Sequence, residues 1–121
     1  MRGQNPGRPA SRGDVMINIK YNRKLSQVKI KGHAASAEKG KDIICASVSM
    51  LAYTLAQNLK FAEQQGYVED LEILLDEGDA RIVCRPVENE ETVECIFETI
   101  GIGFLLLEKN YPEFVRFVIV G

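Results

Sequence analysis

From Ile44 onward the apolar residues of this chain fall at helical spacing: Ile44, Val48, Leu51, Leu55, Leu59 and Ala62. Gly66 supplies a stop signal for the run. The spacing predicts a helix over about residues 43–65, the longest regular element of the chain and the central helix of the fold. Every other segment must be read as something that packs around it.

The flanking segments alternate with period two. In residues 16–21, Ile17, Ile19 and Tyr21 share one face, and Asn18 and Lys20 share the other. Residues 27–31 repeat the pattern, with Val28 and Ile30 inward and Gln27, Lys29 and Lys31 outward. A polar turn separates the two runs, so they are expected to pair as an antiparallel hairpin. Downstream, residues 67–76 place Leu71, Ile73 and Leu75 on one face. A turn at 76–79 leads to a strand at 80–87 with Ile82 and Cys84 inward, which Pro86 is expected to end. A second helix is expected to start near Asn89, a possible N-cap, with Glu90 and Glu91 at its positive end. Val93, Ile96, Phe97, Ile100, Phe104 and Leu107 give its apolar spacing. Ile102, Leu105 and Leu106 widen that face and hint at self-association. Gly101 and Gly103 mark a point of expected bending, and Pro112 marks the end. Residues 114–120 form a last strand, apolar on both faces and so expected to be buried or at an interface. The order is ββαββαβ. It implies an α+β fold, a small two-layer α/β sandwich with two helices on an antiparallel or mixed sheet.

Bulk properties narrow the function classes. With 121 residues the chain makes one domain. Residues 1–15, rich in Gly, Pro and Arg, read as a disordered, vector-derived leader, leaving 16–121 as the single domain. In the leader Arg2, Arg8 and Arg12 stand against Asp14, giving +2 and leaving −4 for the rest of a chain whose total is −2. An acidic body argues against direct nucleic-acid binding. No apolar run is long enough for a membrane span and no signal peptide is legible, so a cytoplasmic location is expected. Three cysteines, Cys45, Cys84 and Cys95, no CxxC pair and one histidine, His33, argue against both a disulfide framework and a metal site. No cofactor is expected.

The chemistry concentrates in residues 31–49. His33 follows Gly32, and on the parity of Lys29 and Lys31 it leaves the sheet on the polar face, unless Gly32 breaks that parity. Residues 34–41, containing Ala34, Gly40 and Lys41, read as a flexible loop. Asp42 is a candidate helix cap, or alternatively a carboxylate that orients the imidazole. Cys45 then falls in the first helical turn, where the positive helix end and a nearby imidazolium both favour the thiolate. Backbone N–H groups of Cys45 and Ala46 are candidate oxyanion donors. Ser47 and Ser49 read as small packing residues, and Cys84 and Cys95 as structural. The bland alternatives are an inert buried cysteine and an idle histidine.

Gly32-His33-Ala34, Gly40, Asp42-Ile43, Cys45-Ala46 and Val48-Ser49 together resemble the signature GHA…GxDIxCAxVS of the bacterial ribosomal-processing cysteine proteases, the Prp family. The resemblance extends over residues 16–121. It implies a cysteine endopeptidase that removes a short N-terminal extension from a large-subunit ribosomal protein, the one numbered twenty-seven, cutting after a phenylalanine. It implies His33 and Cys45 as the catalytic pair, a flexible loop over the site and a homodimer. Its partner would be the ribosomal protein precursor. Three readings compete with it: a non-catalytic ribosome-associated binding module, a thiol redox protein cycling through Cys45, and a structural dimer without chemistry.

Overall fold

The computed structural model describes residues 16–32 and 41–121. The expected leader, His33 and loop residues 34–40 lie outside the described residues. In chain order the elements are β1 (Ile17–Asn22), β2 (Gln27–Lys31), α1 (Lys41–Gln64), β3 (Val68–Asp76), β4 (Asp79–Pro86), α2 (Glu90–Asn110) and β5 (Val115–Val120). The five strands form one sheet in the order β3-β4-β2-β1-β5. Only β1 and β5 run parallel; the other neighbours are antiparallel. The ββαββαβ sandwich with a mixed sheet is therefore as expected from sequence. Among the described residues no helix is long and apolar enough to cross a membrane.

Period-two alternation turns one face of this sheet into the core. Ile17, Ile19 and Tyr21 of β1, Val28 and Ile30 of β2, Ile82 and Cys84 of β4, and Val115 and Phe117 of β5 are all buried. The helices close that face with Ile44, Val48, Leu55 and Leu59 from α1 and Val93, Phe97 and Phe104 from α2. Tyr21 stacks on Phe97 at 5.5 Å between ring centroids, and Phe104 tilts against Phe117 at 5.8 Å. The opposite face carries exposed Lys20, Lys29, Arg81 and Arg116, and no described element covers it.

At the rim of the core the Tyr21 hydroxyl is hydrogen-bonded to the Glu98 carboxylate. Glu98 also accepts from Arg23 Nε at 3.0 Å and Nη2 at 3.1 Å. The guanidinium holds the Glu98 carboxyl below its ordinary range, while burial, with Glu98 beside it, pushes the Tyr21 phenol well up.

Several local expectations are revised. In β3 the alternation skips a residue: Val68 is buried, Asp70 takes a positive φ of 56°, and the register shifts between Glu69 and Glu72. This bulge is what brings Leu71, Ile73 and Leu75 to the inner side after Val68. Asn89 does precede α2, but in the left-handed region and with no side-chain cap; its carbonyl accepts from Thr92 and Val93 instead. Helix α2 runs unbroken through Gly101 and Gly103. Gly103 serves close approach: a Cβ there would lie 2.7 Å from Leu51 Cδ2, whereas one on Gly101 would make only ordinary contact with the Phe117 ring at 3.5 Å. Strand β5 is an edge with Val115 and Phe117 inside, while Val118, Ile119 and Val120 are exposed.

Gly32 ends β2 with φ +91° and donates its N–H to the Gly78 carbonyl at 3.0 Å. A Cβ there would sit 2.3 Å from the Met16 carbonyl oxygen. The conformation and the contact each exclude a side chain. Gly32→Ala is therefore expected to cost about 2–4 kcal/mol of stability, read as a lowered urea midpoint with an unchanged m-value.

Candidate active site

A cleft of about 330 Å³ opens beside the first turns of α1. Cys45, Ser49 and Tyr53, one turn apart on the helix, form one wall. Ile17 and Ile30 from the core face of the sheet contribute to its lining. Gly32 and the β3–β4 turn from Asp76 to Asp79 complete it. The turn is held against the end of β2 by the Gly32–Gly78 hydrogen bond and by an ion pair between Lys31 Nζ and Asp79 at 2.9 Å.

The local cause of the Cys45 position is the seating of α1. Ile44 and Val48 are buried at 2% and 6% exposure, so Cys45, about 100° further round the helix, falls at the edge of the core. It is half-buried, packs against the core cluster and is a free thiol. The other two cysteines have different surroundings. Cys84 is buried in β4, away from the cleft, and burial pushes its thiol up to about 11. Cys95, read from sequence as structural, is exposed on α2, 4.0 Å from Thr99 Oγ1, and takes no part in the buried core. Of the three, only Cys45 lines the cleft.

His33 follows Gly32 directly in the chain, and Gly32 lines the cleft. His33 itself lies outside the described residues, as do Ala34 and Gly40. Gly32, with its positive φ, ends the strand alternation of Lys29 and Lys31.

The helix starts earlier than expected. Lys41, expected in the loop, is already helical, and Asp42 is the second helical residue rather than the cap. Asp42 is exposed there, at the positive end of the helix dipole. Cys45 and Ala46 are the fifth and sixth residues of α1. At those positions the backbone N–H donates to the carbonyl four residues back, so neither amide is available as an oxyanion donor in this geometry. Ser47 donates its hydroxyl to the Ile43 carbonyl at 2.8 Å, an intrahelical bond that occupies it. Ser49 is exposed and faces the cleft.

Sequence reasoning did not place the β3–β4 turn at this site. Its composition announces only a turn. Its place at the cleft comes from register: Asp79 pairs with Lys31, one residue before Gly32.

A family model described as Cysteine protease Prp matches residues 14–116. No curated protein matches the chain. Among solved structures, SMU.848 from Streptococcus mutans is 29% identical, with a TM-score of 0.65, over 91% of this chain and 97% of that one. The essential ribosomal processing protease Prp from S. aureus, in complex with a substrate peptide, is 23% identical with a TM-score of 0.63, over 86% of this chain and 97% of that one. The same S. aureus protease with a covalently linked product peptide gives a TM-score of 0.65 at 23% identity, over 86% of this chain and 99% of that one. The S. aureus likenesses establish the shared fold.

The three thiols are expected to separate chemically. In the native protein, iodoacetamide at about pH 8 should alkylate Cys45 and Cys95 and spare Cys84, whose thiolate is suppressed by burial. Peptide mass mapping reads the outcome. Cys84 modification at a rate equal to that of Cys45 would contradict the core position assigned to it.

Proposed function

This chain belongs to the cysteine protease Prp family, and on that premise we propose that it is the endopeptidase that removes the N-terminal extension of large-subunit ribosomal protein twenty-seven, cutting after a phenylalanine. The observation that carries the reading is the half-buried, free Cys45 thiol lining a cleft whose edge is Gly32, the residue before His33. The cleft mixes apolar lining with the polar β3–β4 turn, which suits an extended peptide with one apolar anchor.

In the proposed mechanism His33 takes the Cys45 proton. Sγ attacks the scissile carbonyl carbon. The tetrahedral intermediate collapses as His33 returns the proton to the departing amine, leaving a thioester on Cys45. His33 then deprotonates a water, which attacks the thioester carbonyl and releases the new carboxylate and the free thiol. Asp42, on the first turn, contributes a carboxylate near the same helix end.

The test is cleavage of a peptide spanning the N-terminal extension and the following residues of that ribosomal protein. The parent protein should cut after phenylalanine. Cys45→Ala and His33→Ala should each lose at least about 1,000-fold in kcat/KM, with circular dichroism unchanged. Saturable peptide binding without cleavage by the parent would instead support a ribosome-associated binding module.

A further inference from the structure

The sheet face that the helices leave open carries a row of three cations in direct register. Arg81 on β4 pairs with Lys29 on β2, and Lys29 pairs with Lys20 on β1. All three are exposed. At about 4.8 Å between strands, the row places three positive side chains across roughly 10 Å. Arg116 on β5 sits diagonal to Lys20, since it pairs with Asn18 two residues earlier. Lys31 lies two residues beyond Lys29 on the same side. Lys29, Lys31 and Arg81, together with Asp79, Leu74 and Ala80, line a hollow of about 250 Å³.

The anions on this face pair with Arg81 and Lys31 and leave the other cations unpaired. Glu72 pairs with Arg81 at 3.5 Å, and Asp79 pairs with Lys31 at 2.9 Å. Lys20, Lys29 and Arg116 have no ion-pair partner among the described residues. Like charges directly opposite on neighbouring strands destabilise a sheet, so the Lys20–Lys29 pair has no stabilising role to explain it. It is instead suited to a ligand that brings repeated negative charge.

We propose that this open face binds the phosphate backbone of RNA, without reading its sequence. None of the outward residues from Lys20, Lys29, Arg81 or Arg116 through to their register partners Leu74, Asn18 and Val118 is aromatic, so base stacking is not available. Arg116 supplies a forked donor and Lys20 and Lys29 supply point charges, both good phosphate partners. RNA is chosen among polyphosphates because the substrate proposed above is a ribosomal protein, and that choice rests on the proposed function. The acidic total charge of the chain does not oppose this, because binding responds to the local potential of the face.

The experiment titrates the full chain against a fluorescent RNA duplex of about 16 base pairs, with no peptide present. Parent protein should bind, and affinity should fall roughly 20- to 40-fold between 50 and 200 mM salt for about three phosphate contacts. The double variant Lys20→Gln/Lys29→Gln should lower affinity at least about tenfold and reduce the salt slope by about two. Its melting temperature should equal or exceed that of the parent, since like-charge repulsion is relieved. Absence of RNA binding by the parent, equal binding by the variant, or preference for vesicles of anionic phospholipid over RNA would each overturn the inference. A protein that cuts the peptide yet ignores RNA overturns this inference alone, leaving the protease reading intact.

Discussion

The seating of α1 on the sheet is the contact on which the rest depends. Its stripe Ile44, Val48, Ala52, Leu55, Ala56, Leu59 and Ala62 is buried almost completely. Burying large side chains such as Ile44, Leu55 and Leu59 contributes about 1.5–3 kcal/mol each, which fixes the rotation of the helix as well as its position. Once that rotation is set, Cys45 has no freedom to be either fully inside or fully outside. The alanines at 52, 56 and 62 are buried in the same core, and the adjacent stripe Cys45–Ser49–Tyr53 forms a wall of the cleft. The thiol position is thus a consequence of core packing one and three residues away, at Ile44 and Val48, which is the rigid support the proposed nucleophile needs.

Most of the fold was legible because its signals are local and redundant. The hairpin, both helices, the β3–β4 turn and the final strand each announce themselves by period and by a Gly or Pro boundary. The limits of that legibility are instructive. Apolar spacing selects Leu51 for the core, whereas Ala52 is the more buried of the two; Leu51 fills the space beside Gly103 instead. Small residues carry a weak hydrophobic signal but decide how closely elements approach. The Asp70 bulge was invisible because a one-residue insertion leaves each half of the strand with good alternation. Asn89 shows the converse: the residue type pointed to the right place, and the backbone used it for its left-handed conformation rather than its side chain.

The site was legible in part, and for a different reason. Cys45 could be singled out because a cysteine at the start of a helix has an electrostatic rationale. Its contrast with Cys84 and Cys95 is a matter of burial and exposure, which composition does not contain. The start of the helix decides what the Cys45 amide does: a first helical residue at Ile43 leaves that N–H free, whereas a start at Lys41 places it past the last free donor. A shift of one or two residues is immaterial to the fold and decisive for the chemistry. The β3–β4 turn joins the site only through the Lys31–Asp79 register and the left-handed Gly32, both of them non-local.

Charge behaves in the same way. The sequence shows Lys20, Lys29 and Arg81 as outward residues of three separate strands, in a chain whose charges nearly balance. Summed along the chain they argue against a polyanion partner. Aligned by the β4–β2–β1 register they become neighbours, and the acids of the same face lie toward β3 and β4 instead. Repulsion between adjacent cations is tolerated because the opposite side of the same strands buries Val28, Ile30, Ile19 and Ile82. The apolar face supplies the stability that lets the polar face hold an arrangement unfavourable in itself. Net charge therefore bounds the colloidal behaviour of a chain, whereas the sign of its surface toward a particular partner is set by strand register.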